Sequence, residues 1–307
     1  MSGGQLSRES FRRTLRGKGN LSLKVHPSKK HEGEILSIAK TAVVTMAPTT
    51  PVYDAIQMMA REGFRRIPIA NPGTKALEGI VTASDIIDYL GGGKKFEIIH
   101  RKFGGNIFKA INEPIKLIMT QKVVSVRSTA KISEAIELMT TKNLGGLPVV
   151  DDDNHVRAII TERDIAILFA DRLSGVSVAE LMSEKVVTAL SKTTIFEAER
   201  SMVTRGFRRL PIISDGKVVG IITSMDVIRF FGSGEVFKHL RSGTIIQVLN
   251  TPALTIASKE VSTIEPNADI GQAAKIMRDK DLGAIPVVKD EKLVGIITER
   301  DFFKIIQ

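Results

Sequence analysis

The chain has 307 residues, with 44 Lys and Arg against 34 Asp and Glu and a formal charge of +10. With 43% hydrophobic and 25% charged residues it reads as globular, long enough for two ordinary domains or several small repeated units. Cys and Trp are absent and Tyr occurs twice, which excludes disulfides, thiol catalysis, iron–sulfur clusters and Cys-ligated zinc, and argues against a stacked-aromatic surface for single-stranded nucleic acid.

Residues 1–34 lack periodic apolar positions and read as a flexible arm. Arg8, Arg12, Arg13, Arg16, Lys18, Lys24, Lys29 and Lys30 stand there against three glutamates, a net of +5. A second basic segment, 94–116, carries six Lys and Arg, among them Arg101 and Lys102, against two glutamates. The remainder is nearly neutral. A basic arm gains affinity for a polyanion by releasing counterions, so an RNA or ribosome surface is one expected partner and a solvated tail the other reading. No apolar run reaches the ~18 residues of a membrane span, and the N-terminus lacks the apolar stretch of a secretory signal. The expectation is a cytoplasmic protein with no membrane partner.

From residue 35 onward one template occurs four times. It opens on a β-branched run ending in a hydroxyl residue: Val43-Val44-Thr45, Val123-Val124-Ser125, Val186-Val187-Thr188 and Val261-Ser262-Thr263. At one fixed offset comes an alanine in a helical pattern (Ala55, Ala135, Ala198, Ala273), and at another a proline (Pro68, Pro148, Pro211, Pro286). Each proline begins a short apolar strand. A polar turn and a second apolar run follow, and the run ends in Thr-x-x-Asp: Thr82/Asp85, Thr161/Asp164, Thr223/Asp226 and Thr298/Asp301. The hydroxyl-ended run is expected to be a strand and residues 52–62 an amphipathic helix. Each unit thus reads β-α-β-β-α, about 60 residues, too small to bury much surface alone. Units one and three share Phe-Arg-Arg before the proline, and units two and four share Leu-Gly-Gly or Leu-Gly-Ala with a later Thr-Glu-Arg-Asp. This alternation implies two pairs, each with one unit of each type.

The expected division is an arm at 1–34, repeats at 35–93, 117–173, 174–234 and 235–307, and a basic linker helix at 94–116. The linker's Phe96, Ile99, Phe103, Ile107, Phe108 and Ile111 form an apolar stripe. Gly91-Gly92-Gly93-Lys94 and Gly232-Ser233-Gly234 lack the Gly-Lys-Ser/Thr arrangement of a phosphate loop and read as helix ends. The five histidines show no metal-ligand spacing. No Ser/His/Asp or paired-carboxylate constellation marks an enzyme.

These residues resemble the cystathionine-β-synthase (CBS) domain over roughly 35–307, and their alternation resembles archaeal four-CBS proteins similar to the γ subunit of AMP-activated protein kinase. The resemblance implies an α/β fold of four β-α-β-β-α repeats arranged as two pairs in a disk. It also implies adenosine ligands: AMP, ADP, ATP or S-adenosylmethionine. Asp85, Asp164, Asp226 and Asp301 would then bind ribose, with Thr82, Thr161, Thr223 and Thr298 close to ribose or phosphate. Arg66 and Arg209 match the position that reaches phosphate, where a guanidinium grips with two parallel bonds. Arg65 and Arg208 point the other way along an extended segment, so only one Arg of each pair is expected in a given cleft. The small Gly145-Gly146 and Gly283-Ala284 would let adenosine or phosphate approach, and Arg163 and Arg300 are either secondary phosphate ligands or surface charges. Thr45, Ser125, Thr188 and Thr263 lie where the family's first strand reads adenine. Taken without the resemblance, Thr-x-x-Asp is also a helix capping box.

Three functions follow as expectations: a non-enzymatic adenine-nucleotide sensor needing no metal, an RNA- or ribosome-docking stress or hibernation factor, and a regulatory subunit of an enzyme or kinase complex. A homodimer of disks stays open.

Overall fold

Four short helices carry the repeated alanines: Val52–Glu62, Ile132–Thr141, Ile195–Arg205 and Ile270–Asp279. Ala55, Ala135, Ala198 and Ala273 are all fully buried. At equivalent places just beyond the helices stand Gly63, Asn143, Gly206 and Asp281, all with positive φ. Gly, Asn and Asp take that conformation at least cost. The computed structural model describes residues 33–238, 240 and 245–306.

An antiparallel hairpin follows each helix: Arg66–Ala70 with Leu77–Thr82, Gly146–Val150 with Val156–Thr161, Arg209–Ser214 with Lys217–Thr223, and Ala284–Lys289 with Lys292–Thr298. The register is the same in all four. Arg66 lies opposite Thr82, Gly146 opposite Thr161, Arg209 opposite Thr223 and Ala284 opposite Thr298. The hairpin therefore carries the residue before the Pro segment and the Thr-x-x-Asp motif to one end of each repeat.

The first strand begins one residue beyond the hydroxyl-ended run that the sequence suggests. Parallel pairing starts at Met46 with Ile69, Val126 with Val149, Ala189 with Ile212 and Ile264 with Val287. Thr45, Ser125, Thr188 and Thr263 stand just before the sheet, because the chain is there arriving from the neighbouring repeat. Lys40 bridges Ile159 of repeat 2, and Thr120 bridges Ile80 of repeat 1. Ser183 bridges Ile296 of repeat 4, and Ser258 bridges Ile221 of repeat 3. Ile35 is buried in the core of repeat 2, while Ile115 and Ile118 are buried in that of repeat 1. The repeats thus exchange leading segments within each pair, and residues 35–40 fill repeat 2 although repeat 1 follows them in sequence.

The two pairs meet through helices. One apolar core runs through repeats 1 and 3, joining Ile56, Met59, Tyr89 and Leu90 to Ala198, Met202 and Phe231. Repeats 2 and 4 meet where Phe169 lies 5.5 Å from Phe302 between ring centroids, and Phe303 enters the core of repeat 2. Gly91 and Gly92, read from sequence as a helix end, also serve as a close contact. A Cβ at Gly92 would fall 2.7 Å from Val203 and 2.9 Å from the Glu199 carbonyl. The result is a disk of four repeats.

The linker is two helices rather than one: Phe96–Phe103 and Ile107–Ile111, separated by Gly104 and Gly105, both with positive φ. Phe96, Ile99, Ile107 and Ile111 are buried, as the stripe predicts, but Phe108 is exposed. The basic residues Arg8, Arg12, Arg13, Arg16, Lys18, Lys24, Lys29 and Lys30 lie outside the described residues.

Candidate functional site

Each Thr-x-x-Asp motif begins the second helical segment of its repeat with a capping box. Capping of this kind contributes about 0.5–2 kcal/mol, so the motif has a structural role in every copy. In all four the motif Thr donates its backbone N–H and its hydroxyl to the same carboxylate oxygen of the Asp, at 2.6–2.9 Å. That leaves the other oxygen, Oδ1, outside the capping bonds. Asp164, Asp226 and Asp301 are buried, and the Asp85 side chain is 14% exposed. Burial raises the Asp164 and Asp226 carboxyls above the ordinary carboxylate range, against the pull of the Thr bonds.

The Oδ1 atoms differ in their company. Lys95 Nζ donates to Asp85 Oδ1 and at 2.7 Å to the Ile118 carbonyl. Lys304 Nζ donates at 2.6 Å both to Asp301 Oδ1 and to the Leu181 carbonyl. Ile118 and Leu181 are equivalent positions on crossing segments, so two lysines from different places in the chain reach one arrangement. Arg229 donates to Asp226 Oδ1 at 3.3 Å.

A cavity of about 650 Å³ joins the Asp85 cleft to the Asp301 cleft, well inside the ~300–1,000 Å³ typical of small-molecule sites. One end has Thr82, Asp85, Lys122, Val123 and Val124, and the other has Thr298, Asp301, Lys185, Val186 and Val187. Arg65, Arg66, Arg208, Arg209 and Arg300 also line it. Both arginines of each Phe-Arg-Arg run therefore reach the cavity, which corrects the expectation of one per cleft. The segment turns at the hairpin entrance instead of remaining extended. Thr161, Asp164, Thr223 and Asp226 repeat the motif geometry outside this cavity's lining. Thr45, Ser125, Thr188 and Thr263 do not line it, although the valines before Ser125 and Thr188 do.

The arginines form a network that the sequence reading missed. Arg65 donates to Glu299 at 2.9 Å and Arg208 to Glu162 at 2.5 Å, each bond running from one pair to the other. Arg163 adds a 2.7 Å bond to Glu299, and Arg300 bonds Glu162. Arg163 and Arg300 further reach Asp281 and Asn143, the residues with positive φ beyond the first helices of repeats 4 and 2. These two arginines are thus structural partners of buried glutamates. The signal was available: Glu occurs before Arg in Thr-Glu-Arg-Asp only in repeats 2 and 4, complementary to Arg-Arg in repeats 1 and 3.

Arg66 and Arg209 have no carboxylate bond in this network. Arg66 donates to the Gly145 carbonyl at 2.6 Å and Arg209 to that of Gly283 at 2.9 Å. Burial first, and then neighbouring guanidinium groups, lower Arg66 to about 10 and Arg209 to about 9. The small residues at Gly145, Gly146 and Gly283 make room for these guanidiniums. A Cβ at Gly283 would sit 2.6 Å from Arg209 and 2.8 Å from Arg65. Glu299 is held down at about 2: its burial opposes ionisation, but Arg65, Arg163 and Arg209 outweigh that. Six guanidinium groups and two carboxylates meet at this centre, an excess of positive charge suited to phosphate.

Outside it, Arg101 is exposed and paired with Glu97 at 2.8 Å, and Lys102 is paired with Glu113 at 2.7 Å. Asp151, Asp153 and His155 gather in the polar turn of repeat 2. Asp151 there accepts the backbone N–H of both Asp153 and His155, so turn geometry accounts for the cluster. Among the described residues no helix is long and apolar enough to cross a membrane.

A family model for the CBS domain matches residues 34–92, 115–171, 178–233 and 254–307. The uncharacterised protein MJ1225 of Methanocaldococcus jannaschii is 38% identical over 273 residues, covering 88% of this chain and 98% of that protein. Its crystal structure, described as that of a proposed archaeal homologue of g-AMPK, superimposes with a TM-score of 0.84 at 37% identity, over 89% of this chain and 99% of the other. An uncharacterised 33.4 kDa protein in a ribosomal RNA operon of Thermofilum pendens is 32% identical over 267 residues, covering 87% of this chain and 89% of that one. A conserved protein of Pyrococcus horikoshii shares the fold alone, with a TM-score of 0.56 at 20% identity, over 88% of this chain and 98% of the other. This chain belongs to the CBS-domain family and carries four copies of the domain.

Proposed function

We propose that the chain is a non-enzymatic regulatory protein that binds adenine nucleotides, AMP, ADP or ATP, in the clefts marked by Thr-x-x-Asp. The observation that carries this reading is one cavity in which two motif carboxylates, the buried Asp301 and the partly exposed Asp85, flank a set of arginines. A carboxylate oxygen suits a ribose hydroxyl, and guanidinium groups suit phosphate. Val123-Val124 and Val186-Val187 offer an apolar wall and main-chain groups for a base. The clefts lie between repeats, so a ligand touches both members of a pair. It shifts their packing by its difference in affinity between the two arrangements. The regulatory-subunit reading draws on MJ1225 and its description as a proposed archaeal homologue of g-AMPK. Titration calorimetry with AMP, ADP and ATP tests the proposal, with micromolar binding expected. No heat with any of the three, and no loss in Asp→Ala variants at Asp85, Asp164, Asp226 and Asp301, overturns it.

A second reading, docking on RNA or the ribosome through the basic arm, is favoured by the charge concentrated in residues 1–34 and by the ribosomal RNA operon of the Thermofilum relative. Arg101 and Lys102 support it less, since both already have carboxylate partners. Co-sedimentation with ribosomal subunits should weaken with salt and drop on deletion of residues 1–34. Binding that survives this deletion overturns the role of the arm.

A further inference from the structure

The two ends of the cavity are built from the same residue set, which is more than two separate clefts require. Asp85, Thr82 and Ile80 at one end correspond to Asp301, Thr298 and Ile296 at the other. Repeat 2 supplies Thr120, Lys122, Val123 and Val124 to the first end, and repeat 3 supplies Ser183, Lys185, Val186 and Val187 to the second. The four arginines Arg65, Arg66, Arg208 and Arg209 come from repeats 1 and 3, one from each pair.

The polar pattern along this cavity is carboxylate, guanidinium cluster, carboxylate. A mononucleotide answers half of it. Two mononucleotides answer both ends but bring their anionic tails towards one another. Arg66 and Arg209 meanwhile bond only carbonyls, and the neighbouring guanidinium groups outnumber the two glutamates near them. One molecule with a nucleoside at each end and a phosphate chain between them meets every group at once.

We infer that this cavity is a single site for a dinucleoside polyphosphate, held by Asp85 and Asp301 at its two riboses and by the central arginines along its phosphate bridge. The inference rests on the reading of the clefts as adenosine sites. Joining two weak halves makes the second contact intramolecular, at an effective concentration near the millimolar range. The bridged ligand should therefore bind about 100-fold or more tighter than AMP.

The test is titration calorimetry of the full chain with AMP, ATP and diadenosine polyphosphates of three, four and five phosphates. The expected result is one dinucleotide per cavity, with affinity peaking at one bridge length. Asp85→Asn and Asp301→Asn should each weaken that ligand by a similar factor of about 10 or more, whereas each should affect only the local half of the mononucleotide binding. Circular dichroism confirms that the variants fold. If either does not, competition on the unaltered chain decides, because one bound dinucleotide must exclude ATP from both ends. AMP or ATP binding at this cavity with no advantage for any dinucleotide, or two dinucleotides per cavity, overturns this inference and leaves the mononucleotide reading standing. No heat from any ligand overturns both.

Discussion

Arg65 of repeat 1 donates to Glu299 of repeat 4 at 2.9 Å, so one bond joins the two pairs through the centre of the disk. Arg208 of repeat 3 and Glu162 of repeat 2 mirror it at 2.5 Å. The disk is therefore closed by charge at its centre and by apolar helices around it. Under the proposed function, an arriving polyphosphate would meet arginines already engaged with these glutamates and would compete with Glu162 and Glu299 for the same donors. Ligand binding and inter-pair contact would then share one set of atoms.

Replacing Glu299 by Gln should destabilise the disk by about 3 kcal/mol, since Arg65 loses its carboxylate partner and Arg163 keeps only Asp281. The pH dependence follows from its depressed value of about 2. An acid lower in the folded than in the unfolded state contributes stability above its unfolded value, near 4.5, and that contribution disappears as pH falls towards 2. Thermal melts between pH 6 and pH 2 should show a steeper loss in the native chain than in Glu299→Gln. Parallel curves would refute the assignment.

Glu199 makes the opposite case. It is fully buried between repeats 1 and 3, its two carboxylate oxygens lack a hydrogen-bond partner, and burial lifts it well above the usual carboxylate range. Glu199→Met, similar in length and apolar, should stabilise the protein by about 1–3 kcal/mol at neutral pH. Below about pH 4.5 both states of the native chain hold the proton. As pH rises beyond that, the unfolded state releases it first and native stability falls. The advantage of Glu199→Met should consequently grow between pH 4 and pH 7 in chemical denaturation. A constant difference would mean that Glu199 finds a counter-charge.

Lys95 and Lys304 hold the oxygens that a ribose diol would need. Lys304→Met leaves Asp301 Oδ1 and the Leu181 carbonyl without their shared donor, and should cost about 1–3 kcal/mol. Mononucleotide affinity at that cleft should rise several-fold, because the diol no longer displaces an ammonium. Lys95→Met should act likewise at Asp85. Affinity unchanged in both variants would show that ribose is not held by these oxygens.

Gly146→Ala probes the guanidinium cluster from the other side. The added methyl would run into the Arg66 guanidinium and lie 2.6 Å from the Ile160 carbonyl. Overpacking of this kind costs about 1–3 kcal/mol, and a dislodged Arg66 should weaken ATP about 10-fold while changing adenosine little. Equal loss for both ligands would place Arg66 away from phosphate.

Much of this was legible in residue order. The fixed offsets to Ala55 and Pro68 and their counterparts located the first helices and the hairpins, because burial and turn chemistry act locally. The Thr-x-x-Asp motifs located the four carboxylates for the same reason. What residue order concealed was long-range. The alternation of Thr-Glu-Arg-Asp with Arg-Arg marks complementary charge, but it does not say which arginines meet Glu162, and nothing near Ile35 says that it fills repeat 2. Lys95 and Lys304 sit at unlike offsets from their aspartates, so no repeated spacing betrays their common position.

The exchanged leading segments carry one last implication. Thr120 and Lys122 belong by covalent bond to one module and by contact to another, so a fragment cut at residue 93 would lack a wall of its own pocket. The indivisible piece of this architecture is the doublet. Lineages that shorten or lengthen such arrays should do so by twos, and domain-transplant experiments should cut between residues 170 and 177, where the chain passes from one doublet to the next.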